Sequence, residues 1–150
     1  MQGRILGIDY GGKRIGLAVS DPSGIIARGL PTIANRGLPD VLDRIKRIVL
    51  EFGITEIVVG YPLTMKAKAG QAAQSTDRFM SALRKSLHLP TVAWDERLTS
   101  KLAERTIREL GKSPGKNKEK VDELAAVFIL QSYLDRGNNR RSQPFSDPFI

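Results

Sequence analysis

The sequence predicts an α/β domain built on a mixed five-stranded sheet, three antiparallel strands followed by two parallel ones, with helices on both faces. Three observations predict it. Short β-patterned runs separated by glycine- and proline-containing turns open the chain. The hydrophobic period then switches from 2 to 3.6. From that point strand-like apolar runs alternate with amphipathic helical stripes, as in a sheet covered on both sides. At 150 residues the chain suits one domain with one sizeable core. We assign residues 1–137 to that domain and 138–150 to a polar tail.

Residues 4–10 are apolar at both parities, the pattern of a central strand covered on both faces. Gly11-Gly12 then turns the chain into 14–20, where Ile15, Leu17 and Val19 alternate, so the two runs predict a hairpin. A second turn, Asp21-Pro22-Ser23-Gly24, leads into 25–33. That run contains Pro31, which cannot donate to a ladder and so marks an edge strand. Val41, Leu42, Ile45, Ile48, Val49 and Phe52 form one helical stripe that opens after Pro39-Asp40 and ends at Gly53. The run 54–60, with Ile57-Val58-Val59, then predicts a buried strand parallel to the first. Ala73, Thr76, Met80, Leu83 and Leu87 mark a second helix. A fifth strand follows at 91–95, a third helix at 99–110 and a fourth at 119–135.

Composition excludes several chemistries. With no cysteine there is no disulfide, thiolate metal site or thiol nucleophile. The single histidine, His88, lies in a helix-to-strand connection, which leaves a Ser-His-Asp triad and a two-histidine acid/base pair without support. No apolar run approaches the ~20 residues of a membrane helix. The opening residues run into a strand rather than a leader, so the expected location is cytoplasmic, with no membrane partner. Twenty-four Lys and Arg against 16 Asp and Glu give a net charge of +8 and an isoelectric point near 10.0, which favours a polyanionic partner.

Three carboxylates stand where the pattern predicts strand ends or an inward helix face. Asp9 shares the parity of Ile5 and Gly7 and closes a central strand just before Gly11-Gly12, where ligands of open α/β sheets gather. At the end of the fifth strand only one of Asp95 and Glu96 can share a face with Asp9, and Glu96 has the parity of Val92 and Trp94. In the fourth helix, at 100° per residue, Asp122 falls on one arc with Val121, Ala125, Ala126, Phe128 and Ile129, whereas Glu123 falls outside it. Converging carboxylates repel unless a hard cation sits among them. Oxygen-only donors suit Mg²⁺ or Mn²⁺, one ion or two.

The basic residues are unevenly spread. Lys101, Arg105, Arg108 and Lys112 recur at helical spacing, opposite Leu102, Ala103, Thr106, Ile107 and Leu110, which predicts a basic face backed by a core face. Arg97, Lys116, Lys118 and Lys120 complete a stretch of eight cations against Glu104, Glu109 and Glu119, and Lys13 and Arg14 flank the first turn. Next to the acids they suit phosphate contacts. Aromatic residues are sparse there, so backbone and shape recognition is expected rather than base stacking.

Four motifs in this order resemble a known family: Gly7-Ile8-Asp9-Tyr10-Gly11 with Arg14-Ile15-Gly16-Leu17-Ala18; Gly60-Tyr61-Pro62 with Gly70; Asp95-Glu96-Arg97-Leu98-Thr99-Ser100; and Lys120-Val121-Asp122-Glu123-Leu124-Ala125-Ala126. Over nearly its whole length the chain resembles YqgF-type proteins, which are linked to Holliday-junction resolution and to processing of the ribosomal RNA precursor. The resemblance implies an RNase H-like sheet and Asp9, Glu96 and Asp122 as catalytic metal ligands. It further implies a divalent-metal-dependent nuclease that processes the 5′ end of the small-subunit ribosomal RNA precursor, with branched DNA as the alternative substrate. A resolvase would act as a two-fold homodimer, whereas an RNA processor could be a monomer. The first hairpin also resembles the phosphate-binding hairpin of sugar kinases and actin-like ATPases, so an ATP-binding module and an inactive nucleic-acid-binding domain are further readings.

Overall fold

The computed structural model describes residues 3–62, 67–95 and 99–142. Strands β1 (Arg4–Tyr10), β2 (Arg14–Ser20) and β3 (Ala27–Ala34) are followed by helix α1 (Leu38–Phe52) and strand β4 (Ile54–Tyr61). Helix α2 (Ala67–Leu87) and strand β5 (Thr91–Asp95) come next. Helix α3 (Thr99–Glu109), a 3-10 turn (Pro114–Lys116) and helix α4 (Lys118–Ser142) complete the order. The sheet runs β3-β2-β1-β4-β5, with β1 antiparallel to β2 and parallel to β4, and β4 parallel to β5. The expected topology is met, and Pro31 lies on an edge strand.

The two faces of the sheet are built from opposite parities. Leu6, Ile8, Ile15, Leu17, Val19, Ile57 and Val59 point to one side, where Val41 and Ile45 of α1 and Phe79, Met80 and Leu83 of α2 cover them. Each such aliphatic side chain removed from water contributes about 1.5–3 kcal/mol before ordering entropy is subtracted. Gly53 lets α1 turn directly into β4: it adopts a left-handed conformation, φ 66°, and its N–H donates to the Val49 carbonyl.

On the other side Ala126, Ile129, Leu130 and Leu134 of α4 lie over Ala18 and Val58. This helix sits close because three strands offer glycine beneath it. A Cβ built on Gly7 would stand 2.7 Å from Leu130 Cβ, one on Gly29 would press on the Glu123 side chain, and one on Gly16 would overlap the Asp122 carbonyl. No helix among the described residues is long and apolar enough to cross a membrane.

Four expectations need correction. The helix predicted at 119–135 runs from Lys118 to Ser142, through residues assigned above to the tail. The sequence of its last turns is polar, and the Asn138 amide donates to the Gly24 carbonyl at 3.1 Å. Leu102 and Leu110 were expected in a core face, yet they are 46% and 66% exposed, and of that face Ala103 and Ile107 are buried. The reason is that α3 leans on α4 and the 3-10 turn rather than spreading over the sheet. Glu123, predicted outside the inward arc, is half-buried against Gly29, because the twisted edge of the sheet rises beneath that side of the helix. Ile25 and Ile26, read as the start of the third strand, belong to the preceding turn and are exposed.

Candidate metal and nucleic-acid site

The hairpin register fixes where Asp9 points. Asp9 pairs with Gly16 across the β1–β2 ladder, and partners in such a ladder share a face. The missing side chain of Gly16 would project onto the backbone of Asp122, so Asp9 projects toward the first turns of α4. Asp9 and Asp122, 113 positions apart in sequence, are thereby brought to one end of one sheet face. On β5, Trp94 packs into the α4 cluster, whereas Asp95, of opposite parity, is exposed. Glu96 and Arg97 lie outside the described residues.

Asp122 has a cationic partner. The Arg14 Nε–H donates to Asp122 Oδ2 at 2.6 Å, and the two side chains are only 30% and 24% exposed. Arg14 shares the parity of Gly16 and so rises from the same face of β2. This is compensation of the kind a partly buried carboxylate requires. Arg14, read from sequence as a nucleic-acid contact, is in this structure the residue that holds Asp122.

Some of the remaining cations lie near the start of α4, and others line α3. Lys13 is exposed at the tip of the hairpin, whose strands are tied to the next segment by the Asn35 N–H donating to the Lys13 carbonyl at 2.9 Å. Arg14, Lys116, Lys118 and Lys120 line a shallow cavity of about 380 Å³ at the start of α4. Lys101, Arg105 and Arg108 are exposed along α3, with Arg105 Nε donating to Glu109 Oε1 at 3.2 Å. His88 is exposed in the α2–β5 connection with φ 54°.

Among the described residues, no group of three His, Cys, Asp or Glu side chains is gathered tightly enough to hold a metal ion. Asp9 and Asp122 lie at one end of one sheet face, and carboxylate oxygens are donors of the kind that fit Mg²⁺ or Mn²⁺ rather than a softer cation. Sequence reasoning did not reveal the Arg14 partnership or the glycine cradle. A signal for the cradle was present: in the hairpin Gly16 faces Asp9, and a glycine in a strand interior marks close approach of another backbone.

Comparison with known proteins gives the family and the fold. Residues 3–136 match the family model described as RuvX: Holliday junction resolvase. A protein of Listeria monocytogenes, provisionally named a pre-16S rRNA nuclease, is 46% identical over 138 residues, covering 90% of this chain and 99% of that protein. A protein of the same name from Syntrophomonas wolfei is 44% identical over 135 residues, covering 90% and 96%. Among solved structures, Thermus thermophilus RuvC in complex with a Holliday junction substrate superposes with a TM-score of 0.56 at 15% identity, covering 91% of this chain and 96% of that one. That likeness establishes the RNase H-like fold of the resolvases. The chain belongs to the RuvX, or YqgF-type, family.

Proposed function

We propose that this protein is a divalent-metal-dependent nuclease that hydrolyses phosphodiester bonds in the ribosomal RNA precursor, at the 5′ end of the small-subunit RNA. The observation that supports the reading is the placement of Asp9 and Asp122 at one end of one sheet face, on either side of Gly16. The names of relatives at 44–46% identity support the RNA substrate. Glu96, two positions beyond Trp94 in sequence, is the third acid of the proposed set.

Asp9, Glu96 and Asp122 would hold Mg²⁺ or Mn²⁺, and such an ion supplies Lewis acidity toward the phosphate and lowers the pKa of an attacking water. The chain's own part is positional. Gly16 sets the spacing of the two described carboxylates, and Arg14 orients Asp122 and offsets its charge. Lys13, Arg97, Lys101, Arg105, Arg108, Lys116 and Lys118 bind the substrate backbone through its phosphates.

Branched DNA is the second reading, favoured by the description of the matching family. Symmetric cleavage of a junction needs a two-fold dimer, so the mass in solution separates the two: a strict monomer argues for RNA. The direct test incubates the protein and Asp9→Asn with precursor RNA and four-way DNA, with and without Mn²⁺. Cleavage of the RNA that needs Mn²⁺ and is lost in Asp9→Asn supports the proposal. An unaltered rate in Asp9→Asn, or cleavage of the junction alone, refutes it.

A further inference from the structure

A second concavity lies on the α4 side of the sheet. It has a volume of about 520 Å³, and Ile5, Glu56, Trp94, Tyr133, Leu134 and Arg136 are among the residues that line it. That size is ample for a nucleoside. Its walls are two aromatic rings packed edge to face, Trp94 and Tyr133, with centroids 5.2 Å apart and an interplanar angle of 87°. Both rings are pinned by their polar ends: Trp94 Nε1–H donates to Ser132 Oγ at 2.7 Å, and the Tyr133 hydroxyl donates to Glu56 Oε2. Rings locked in this way lose little freedom when something stacks on them. The exposed Arg136 guanidinium stands 5.8 Å from the centre of the Trp94 ring, a cation at the mouth of an aromatic cleft.

We propose that this cleft binds one unpaired nucleotide of the substrate strand. Its base packs against Trp94 and Tyr133, its phosphate meets Arg136, and a ring N–H or exocyclic amine donates to the Glu56 carboxylate. Charge complementarity selects this occupant, since an anionic group suits Arg136 and the +8 net charge, while a base presents both a π-face and N–H donors. Placement agrees. Trp94 pairs with Gly60, and Val59, one residue before it, pairs with Ile8, so the backbone of Trp94 lies level with Asp9. Ile5 and Glu56, which pair with one another, lie about 13 Å further back along the strands. A strand reaching the acids can thus leave a base a few nucleotides away in the cleft, which amends at one position the expectation of backbone-only recognition. The proposal rests on the nucleic-acid reading above and makes it narrower: the substrate is unpaired within a few nucleotides of the cleaved bond.

Trp94 is the sole tryptophan, so its fluorescence reports on the cleft without labelling. The test titrates the full chain in EDTA, which prevents turnover, with adenosine 5′-monophosphate, a single-stranded RNA hexamer and a blunt RNA duplex of the same length. Saturable quenching is expected from the nucleotide and the single strand. The duplex should bind the cleft roughly tenfold more weakly, and Arg136→Gln should weaken the nucleotide by a similar factor. Asp9→Asn should quench like the parent, so a protein that quenches but never cleaves would retain the cleft and remove the nuclease reading. Absence of quenching, equal quenching by duplex and single strand, or indifference to both Arg136→Gln and Glu56→Gln would overturn the proposal. So would a changed Trp94 emission on deleting residues 143–150 together with no response to nucleotides, because the occupant would then be the chain's own end.

Discussion

The two faces of the sheet are packed by opposite means. Under α1 and α2 the strands present Leu6, Ile8, Ile15, Leu17, Val19, Ile57 and Val59, and Phe79 and Leu83 close the layer. Under α4 they present Gly7, Gly16, Gly29 and Ala18, and the helix backbone descends almost onto the strands. The thick face holds the fold through buried apolar area. The thin face gives up some of that area and gains proximity, and the acids and Arg14 stand at its rim. Stability and site geometry are therefore carried by opposite sides of the same strands, alternating residue by residue along β1 and β2.

This division can be broken by paired substitutions. Ile8→Ala on the thick face should have the largest effect on folding, about 4 kcal/mol, from lost transfer energy and the cavity left behind. It should leave the turnover of the remaining folded protein near that of the parent; denaturant unfolding and single-turnover cleavage measure the two. Gly16→Ala should cost less stability, about 2–3 kcal/mol, or a melting point lower by roughly 4–12 °C. Its added methyl overlaps the Asp122 carbonyl and separates the two acids, so it should lose proportionally far more activity than Ile8→Ala. Gly12→Ala is the control, since a Cβ there meets nothing within 4 Å, and it should be nearly silent in both assays. Equal activity losses for Ile8→Ala and Gly16→Ala would erase the distinction between the faces.

Smaller effects sharpen the picture at the rim. Replacing Lys101, Arg105 and Arg108 together by Ala should weaken nucleic-acid binding about tenfold or more and flatten its salt dependence by roughly two to three ions, with the melting point little changed. Affinity measured between low and moderate salt checks this, and an unchanged slope would remove α3 from the interface. Arg14→Gln should cost about 1 kcal/mol of stability, the scale of a partly exposed ion pair.

The smallest effect is a pH dependence. Burial, and then the hydrogen bond to Glu56, push the Tyr133 hydroxyl up to about 12 from its usual 10.0. Because the folded value is the higher one, the contribution of Tyr133 is present below pH 10 and is lost as pH rises through about 12. Tyr133→Phe should remove that part of the alkaline decline, as melting curves between pH 9 and 12 would show.

Local chemistry was legible in the sequence, and contacts between distant segments were not. Pro31 betrayed the edge strand and Gly53 the helix end because each acts through its own backbone. The 100° arc gave the inward direction of Asp122 because Ala125, Ala126 and Ile129 repeat it over two turns. The partner of Asp122 lies 108 positions away, and nothing local to Arg14 distinguishes an arginine that holds a carboxylate from one that meets phosphate. Glu123 was placed outside the arc by an ideal helix over a flat surface, whereas the sheet twists up to meet it at Gly29. The polar end of α4 resembled a tail because residues 137–142 carry no apolar side chain and so show no helical stripe.

The proposed cage of Asp9, Glu96 and Asp122 is tested most directly by Mn²⁺ binding, followed by titration calorimetry in the absence of nucleic acid. The parent protein should bind, and Asp9→Asn, Glu96→Gln and Asp122→Asn should each weaken binding by roughly tenfold or more. An affinity left unchanged by any one of the three would contradict a shared site.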